Sequence, residues 1–176
     1  MLIRRLTSAD LEDYRGIRLE ALRVSPQAFG SDYEESKARS LKQLGHFIVD
    51  DIDHFMLGAF DDQQLTGIVS LRRLGGIKMR HKAEINQMYV TPGYRGKGVS
   101  RQLMTVLIRM AREVPELVGL KLSVVSTSVE ASSLYKSLGF TRYGIEKRAL
   151  KIGENYFDEA LLELDLELDN LKRSYT

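Results

Sequence analysis

The sequence predicts a single mixed α/β (α+β) domain over residues 1–176, with a mostly antiparallel sheet of about seven strands flanked by about four helices. Strand-like and helix-like periodicities alternate along the chain in the order β-α-α-β-β-β-α-β-α-β-β. Hydrophobic residues make up 43% of the 176, enough for a sizeable core. No linker, repeat or low-complexity stretch suggests a second domain.

The N-terminal part is predicted to contain one strand and two helices. Residues 1–6 form a short strand, and Thr7 stands at a helix-cap position with Asp10 three residues later. The helix that follows runs to Val24 and ends before Pro26. It carries a mixed apolar face at helical spacing, made of Leu11, Tyr14, Arg18 and Ala21/Leu22. A second, more polar helix is predicted over residues 32–44.

The middle of the chain is predicted to form three strands and a long helix. Residues 55–60 and 65–74 form a hairpin around residues 61–64, and residues 83–90 form the next strand. A helix then runs to about residue 112. Its apolar residues recur on one face, which is expected to lie against the sheet: Val99, Leu103, Val106, Leu107 and Met110.

The C-terminal part is predicted to form a buried strand, a short helix and a hairpin. The strand covers residues 118–125, and the helix covers residues 130–138 and is closed by Gly139. The hairpin joins residues 141–151 to residues 155–168. Leucines alternate with acidic residues up to Asp169, and this period of two indicates a strand although Leu and Glu favour helices.

Composition excludes several kinds of site. The chain has no cysteine, so disulfides, thiolate metal sites and a cysteine nucleophile are excluded. The three histidines (His46, His54 and His81) lack metal-ligand spacing, and no metal is expected. No apolar run is long enough for a signal peptide or a membrane span, so we expect a cytoplasmic protein that does not bind membranes.

The charge balance argues against nucleic-acid binding. A net charge of +2 and a pI of about 8.8 are only mildly basic, whereas nucleic-acid binders show a stronger, one-sided excess. One basic cluster brackets Gly75 and Gly76 and is interpreted as a solvated hairpin loop; it comprises Arg72, Arg73, Lys78, Arg80, His81 and Lys82.

The most informative segment is residues 95–101 (RGKGVSR), between a predicted strand and a predicted helix. The first turn of a helix leaves backbone N–H groups unpaired, and the helix dipole adds positive potential. Gly96 and Gly98 lack the Cβ atoms that would keep a phosphate away from these groups. Three cations lie within the segment, so it is interpreted as a pyrophosphate-binding loop.

Two common phosphate loops do not fit this segment. The P-loop requires glycine five residues before the Gly-Lys pair, and this chain has Thr91 there. The dinucleotide fingerprint requires a third glycine, and this chain has Arg101 at that position. A charged surface turn before a helix is the remaining alternative.

A third pattern, Arg95-x-x-Gly98-x-Ser100, resembles the Arg/Gln-x-x-Gly-x-Gly/Ala signature of the GNAT superfamily of N-acetyltransferases, with serine in the last position. Other stretches are similar to the family in the same order. They are residues 25–31 (the connection between the first two helices), residues 88–96 (the end of the fourth strand) and residues 131–140 (a helix with a Leu-Tyr pair and a final Gly-Phe).

The resemblance implies an N-acetyltransferase that moves an acetyl group from acetyl-CoA to a primary amine of a small molecule or protein. Ser128 stands where the family often has an asparagine that contacts CoA. A homodimer is left open. The residues expected to bind acetyl-CoA are Met88, Tyr89, Val90, Arg95, Gly96, Lys97, Gly98, Val99, Ser100, Arg101 and Ser128.

Two side chains are candidates for proton transfer. Glu84 matches the position of the strand glutamate that serves as a base in some family members; alternatively, it forms a surface ion pair with Lys82 or Arg80. Tyr135 resembles the family tyrosine that reaches the CoA sulfur, where it would act as the acid; alternatively, it is a buried aromatic residue. A splay or bulge at residues 88–90 would free backbone groups to polarise the thioester.

The residues that bind the acceptor are the hardest part of the site to predict from the sequence. Asp32, Glu34 and Glu35 cluster where the first two helices meet and would suit a cationic amine; alternatively, they form a solvated helix N-terminus. Tyr143, Tyr156 and Phe157 are candidates for the other side of the pocket. Two other functions remain open: a catalytically silent CoA-binding sensor of the same fold, and a nucleotide-binding regulator that uses the same loop.

Overall fold

A computed structural model describes residues 1–49 and 51–167 of the chain. Its strands are β1 (Leu2–Arg5), β2 (His54–Asp61), β3 (Gln64–Arg73), β4 (Lys82–Val90), β5 (Gly119–Val125), β6 (Thr141–Ile152) and β7 (Asn155–Asp165). They form one sheet in the order β1-β2-β3-β4-β5-β7-β6. Neighbouring strands are antiparallel except for β4 and β5, which are parallel. The predicted fold class is therefore confirmed.

Helices number five in the described part of the chain, because the segment predicted as one helix over residues 32–44 forms two. Arg39 adopts an extended backbone that ends the first of them. Ser40 then begins the second through reciprocal hydrogen bonds with Gln43. None of the described helices is both long and apolar enough to cross a membrane. The helices are α1 (Leu11–Val24), α2 (Tyr33–Ala38), α3 (Leu41–Leu44), α4 (Val99–Ala111) and α5 (Val129–Ser137).

Two hydrophobic cores lie on opposite faces of the sheet. Helix α4 buries Val99, Leu103 and Leu107 of the predicted apolar face in the core that contains Leu71 of β3, whereas Val106 and Met110 are only partly buried. Helix α1 buries Tyr14 in a second core with Ile68. Ile68 and Leu71 belong to different cores because side chains of a strand alternate between its two faces.

The sheet opens between β4 and β5. These strands are paired only from Lys82 opposite Gly119 to Glu84 opposite Lys121. Beyond Glu84, β4 also contains a bulge, because its pairing with β3 shifts there and Gln87 has a positive φ of 57°. The predicted splay near residues 88–90 is therefore present, and a cleft forms in the gap.

The C-terminal hairpin follows the predicted period of two. Ala160, Leu162 and Leu164 of β7 are buried, as the alternating pattern required. Strand β7 ends at Asp165, so the strand predicted to residue 168 is shorter than expected, and Leu168 and Asp169 lie outside the described residues. Strand β6 lies at the sheet edge, and its pairing with β7 is interrupted by two register shifts.

The N-terminal cap depends on one ion pair. Asp10 accepts hydrogen bonds from both terminal nitrogens of Arg4 (2.8 and 2.7 Å) and from the backbone N–H of Thr7 (2.8 Å). The hydrogen bond from Arg4 is the main reason that the pKa of Asp10 is lowered to about 2. Because the folded-state pKa lies below the unfolded value, the ionised pair stabilises the fold above about pH 4 and loses this effect toward pH 2.

We therefore expect Asp10→Asn to lower the free energy of unfolding at pH 7 by about 1–2 kcal/mol, since asparagine keeps a cap acceptor but loses the charge. Urea unfolding at pH 7, 4 and 3 is the measurement. The difference in free energy of unfolding between wild type and Asp10→Asn should narrow only below pH 4. Asp13→Asn, an exposed position in the first turn of α1, is the control. A difference in free energy of unfolding that does not change with pH would contradict the ion-pair explanation.

Candidate active site

A cleft of about 1430 Å³ lies where β4 and β5 separate. One wall consists of residues 85–90 of β4, and the opposite wall consists of residues 122–125 of β5 with the start of α5. The loop before α4 lines one end. Arg18 of α1 and most residues of the segment 25–31 also line the cleft. The gap between β4 and β5 thus brings together the end of β4, the loop before α4 and the start of α5. The sequence analysis predicted acetyl-CoA binding by residues of these three segments.

The loop before α4 has the geometry of an anion-binding helix N-terminus. Gly98 is the N-cap of α4, and no side chain caps that end of the helix. Gly96 and Gly98 have positive φ angles of 74° and 77°, which glycine adopts without strain. A Cβ at Gly96 would meet no protein atom within 4 Å, and one at Gly98 would meet only Gln102 Nε2 at 4.0 Å. The loop therefore leaves room for a ligand beside unpaired N–H groups.

The cations of this loop differ in their surroundings. Arg95 donates from Nε to the Val90 carbonyl (3.0 Å), which ties the loop to the end of β4. Arg101 donates to Ser137 Oγ (2.8 Å) on α5. Lys97 does not line the cleft, and its ammonium lies 5.0 Å from the centre of the Tyr94 ring. Two of the three predicted cations thus lie at the cleft.

The other predicted acetyl-CoA-binding residues all line the cleft. They are Met88, Tyr89, Val90, Gly96, Gly98, Val99, Ser100 and Ser128. Ser128 is the N-cap of α5, and its hydroxyl does not cap that helix. Tyr89 donates its hydroxyl hydrogen to Glu20 of α1 (2.8 Å), and burial together with this bond raises the pKa of Tyr89 to about 12.

Tyr135 lies in the cleft wall and is 6% exposed. Its ring packs edge-on against Phe140, with 5.9 Å between the ring centres. Burial raises the pKa of Tyr135 to about 12, so the phenol stays protonated at neutral pH. Among residues 1–49 and 51–167 its hydroxyl has no hydrogen-bond partner. The side chain is thus a buried aromatic residue with a protonated phenol in the cleft lining, and its role as the acid stays a prediction.

Glu84 is not among the residues that line the cleft. Its half-exposed carboxylate accepts from Arg72 Nη2 at 2.9 Å, across the β3–β4 pair, rather than pairing with Lys82 or Arg80. Arg72 does line the cleft, so Glu84 lies immediately behind its wall. The role of Glu84 as a base stays a prediction.

The acidic cluster predicted for the acceptor pocket lies elsewhere. Asp32 caps α2 by accepting from the Glu35 backbone N–H (3.0 Å), and Glu34 lies 4.0 Å from Lys37. None of the three carboxylates lines the cleft, so the solvated helix N-terminus is the correct interpretation. The predicted aromatic residues also lie outside it: Tyr143, Tyr156 and Phe157.

Other cationic and aromatic side chains line the cleft, together with two carboxylates, Glu130 and Glu159. Arg18 of α1 lines the cleft, although the sequence suggested only that it belongs to the buried face of α1, one turn after Tyr14. An arginine on an otherwise apolar helix face was the signal that could have identified it. Other residues that line the cleft include His46, Phe47, His54 and Phe29. Among the described residues, no cluster of His, Asp and Glu could hold a metal ion.

Comparisons with known proteins agree with this geometry. The profile described as "Acetyltransferase (GNAT) domain" matches residues 3–161. Streptothricin acetyltransferase from Escherichia coli is 33% identical over 96 residues, which cover 54% of this chain and 52% of that protein. The chain thus spans about half the length of this curated relative.

Two solved structures share the fold. A GNAT acetyltransferase from Streptococcus pneumoniae has a TM-score of 0.83 at 21% identity, covering 93% of this chain and 98% of that one. The putative acetyltransferase yncA from Salmonella typhimurium, solved with acetyl-CoA, has a TM-score of 0.80 at 23% identity and covers 94% of both chains. With the profile matching nearly the whole chain, the protein belongs to the GNAT acetyltransferase family.

Proposed function

We propose that this protein is an acetyl-CoA-dependent N-acetyltransferase that acetylates a primary amine of a small molecule or a protein. The observation that carries the proposal is the cleft itself. It places an uncapped helix N-terminus with two glycines and two arginines in one cavity with a buried, protonated tyrosine. A loop that only binds phosphate needs no such tyrosine.

The loop before α4 is proposed to hold the pyrophosphate of acetyl-CoA. The free N–H groups of the first turn of α4 would donate to the phosphate oxygens, and the helix dipole favours negative charge there. Gly96 and Gly98 leave the approach open. Arg95 and Arg101 add positive charge at the same end of the cleft. The residues therefore fit the ligand that the family implies.

The gap in the sheet is proposed to hold the acyl end. Beyond Glu84, the backbone groups of β4 that face β5 are not used in strand pairing. Such groups can bind an extended pantetheine arm and polarise a carbonyl. Acetyl-CoA supplies a thioester whose C–S bond breaks as the C–N bond to the amine forms. Residues 88–90 would act through their main chain, so their side-chain types matter little.

Proton transfer is proposed to involve two groups. The Tyr135 hydroxyl is protonated and unpaired among the described residues, so it can donate a proton to a leaving thiolate. A free alkylamine with a pKa near 10 is neutral in only about one molecule per thousand at pH 7, so a base is useful. Glu84 would take this proton through a water, since its carboxylate is paired with Arg72 and does not line the cleft.

The direct test of the proposed function is release of free CoA thiol from acetyl-CoA in the presence of an amine panel, with the acetylated product identified by mass spectrometry. Turnover that depends on the amine supports the proposal. Tight acetyl-CoA binding without product from any amine would instead indicate a CoA-binding sensor, and protection by ATP rather than CoA would indicate a nucleotide-binding regulator.

Gly98→Val should weaken acetyl-CoA binding at least about tenfold, because a branched side chain would occupy the approach to the N–H groups. Gly76→Val is a matched control. Gly76 has a similar positive φ of 82° and open space, so it imposes the same backbone strain outside the cleft. Isothermal titration calorimetry should separate the two variants. Equal affinities would show that the loop does not bind the cofactor.

Tyr135→Phe should lower kcat by about 10²–10⁴-fold while acetyl-CoA affinity changes little, because only the hydroxyl is lost and the ring still packs on Phe140. Because the pKa of Tyr135 is about 12, the ratio of wild-type to variant kcat should stay constant from pH 7 to 10. Tyr143→Phe, outside the cleft, is the control. An unchanged kcat, with chemistry rate-limiting, would assign Tyr135 a packing role alone.

Glu84→Gln should lower the rate at pH 7. The rate of this variant should partly recover at high pH, because more of the amine is already neutral there. Arg72→Gln breaks the same ion pair but keeps the carboxylate, so it reports the effect of the pair alone. The pH–rate profile of each variant is the measurement. If both variants keep the wild-type profile and lose only stability, Glu84 is a partner of Arg72 and the base lies elsewhere.

A further inference from the structure

Arg18 is a buried cation without a partner in the described part of the chain. The residue is 8% exposed, lines the cleft, and has no hydrogen bond or ion pair from its guanidinium to residues 1–49 or 51–167. Its Nη1 is fully buried. The nearest aromatic contact is Phe29, whose ring centre lies 4.8 Å from the guanidinium carbon.

An unpaired buried arginine is costly for a fold. The guanidinium remains charged in proteins, and an ion removed from water needs a counter-charge or hydrogen bonds. Burial is the main cause that lowers the pKa of Arg18; Tyr14 opposes this effect and Arg39 adds to it, so the net surroundings favour an added negative charge. Arg73 shows how this protein treats a structural arginine. Its side chain is 5% exposed, and it pairs with Asp53 (2.8 Å) and the Pro115 carbonyl (2.7 Å).

The position of Arg18 points to the acceptor rather than to the cofactor. One helical turn earlier, Tyr14 donates its hydroxyl hydrogen to Gln87 Oε1 (2.8 Å), and Gln87 is the bulge residue of β4. Arg18 is therefore on the side of α1 that faces the bulge. The phosphate end has its own donors, namely the start of α4 with Arg95 and Arg101.

We propose that the acceptor is a small amine that also carries a carboxylate, as an amino acid does, and that Arg18 binds this carboxylate. The inference rests on the proposed function. A guanidinium offers two parallel N–H groups that match the two oxygens of a carboxylate. Stacking on Phe29 holds the guanidinium plane in place.

The same charge excludes the opposite class of acceptor. A polyamine or another amine without an anionic group would bring a second positive charge next to Arg18, with no carboxylate from the described chain at Arg18 to offset it. Such amines should bind poorly. Arg18 therefore narrows the predicted cationic amine to one that also carries a carboxylate. The carboxylates of Glu130 and Glu159 line the cleft as well.

The experiment compares amino acids with their carboxamides, with spermidine and with C-terminally amidated peptides, in the thiol-release assay. We expect kcat/KM for the best amino acid to exceed that for its carboxamide by at least about tenfold. Arg18→Met keeps the length and packing of the side chain. It should lower kcat/KM for the amino acid roughly 10- to 100-fold, mainly through KM, and leave the carboxamide and the KM for acetyl-CoA unchanged.

Two further variants sharpen the result. Arg18→Lys keeps the charge but loses the planar pair of donors, so its kcat/KM should fall between those of wild type and Arg18→Met. Arg23→Met, on the exposed side of α1, should behave as wild type. In the absence of acceptor, Arg18→Met should raise the unfolding temperature by about 2 °C or more, since it removes an unpaired buried charge. A lower unfolding temperature would make Arg18 a structural residue and overturn the inference.

The remaining outcomes separate this inference from the proposed function. Equal turnover of amino acids, carboxamides and spermidine, with Arg18→Met affecting all alike, would overturn the inference while the N-acetyltransferase activity stands. A loss of acetyl-CoA affinity in Arg18→Met without a change in acceptor KM would place Arg18 in the cofactor site and also overturn it. No turnover with any amine would overturn the proposed function, and the inference with it.

Discussion

The short parallel pairing of β4 with β5 is the constraint on which the candidate site depends. Hydrogen bonding stops after Glu84 opposite Lys121, and the strands then diverge. The bulge at Gln87 increases the divergence by turning β4 away from a regular ladder. The lining residues 85–90 of β4 and 122–125 of β5 come from the two sides of this gap. Full pairing of the two strands would place a continuous sheet where the cavity now lies.

The two cores hold the gap open from opposite faces. Helix α4 packs on one face and α1 on the other, so each contributes one functional group from a rigid element. The start of α4 provides the uncapped N–H groups, and the buried side of α1 provides Arg18. Because both helices are anchored by fully buried side chains, these groups have little freedom to move. The cleft is thus preorganised by the same packing that stabilises the domain.

Features that depend on local sequence were predictable. Each such feature lies within a single helix, loop or strand, so its position follows from residue spacing alone. Examples are the glycines at residues 96 and 98, the apolar face of α4 and the alternation in β7. The family resemblance then placed Tyr135 at the cleft, where it lies. Only Lys97 of the loop cations lies outside the cleft, because it turns toward the Tyr94 ring.

Features that depend on long-range contacts were not predictable. The partner of Glu84 is Arg72 on the adjacent strand, twelve positions away, and not a near neighbour in sequence. The acidic cluster differs, because Asp32 caps α2 through a local hydrogen bond from Glu35, as the alternative of a solvated helix N-terminus predicted. Arg18 was visible as part of the buried face of α1, but spacing cannot show that a buried cation lacks a counter-charge. That property becomes apparent only when all neighbouring elements are in place.

The register shifts of β6 have a consequence for association between copies. An edge strand with regular backbone spacing can pair with the same strand of another molecule. The two shifts in β6 and the positive φ of 55° at Arg148 break that spacing over the middle of the strand. Lys151 adds positive charge to this edge, whereas Lys147 pairs with Asp158 of β7 (Nζ to Oδ2, 2.8 Å). Edge-to-edge extension of the sheet through β6 is therefore opposed by both geometry and charge, which protects a long exposed strand from aggregation.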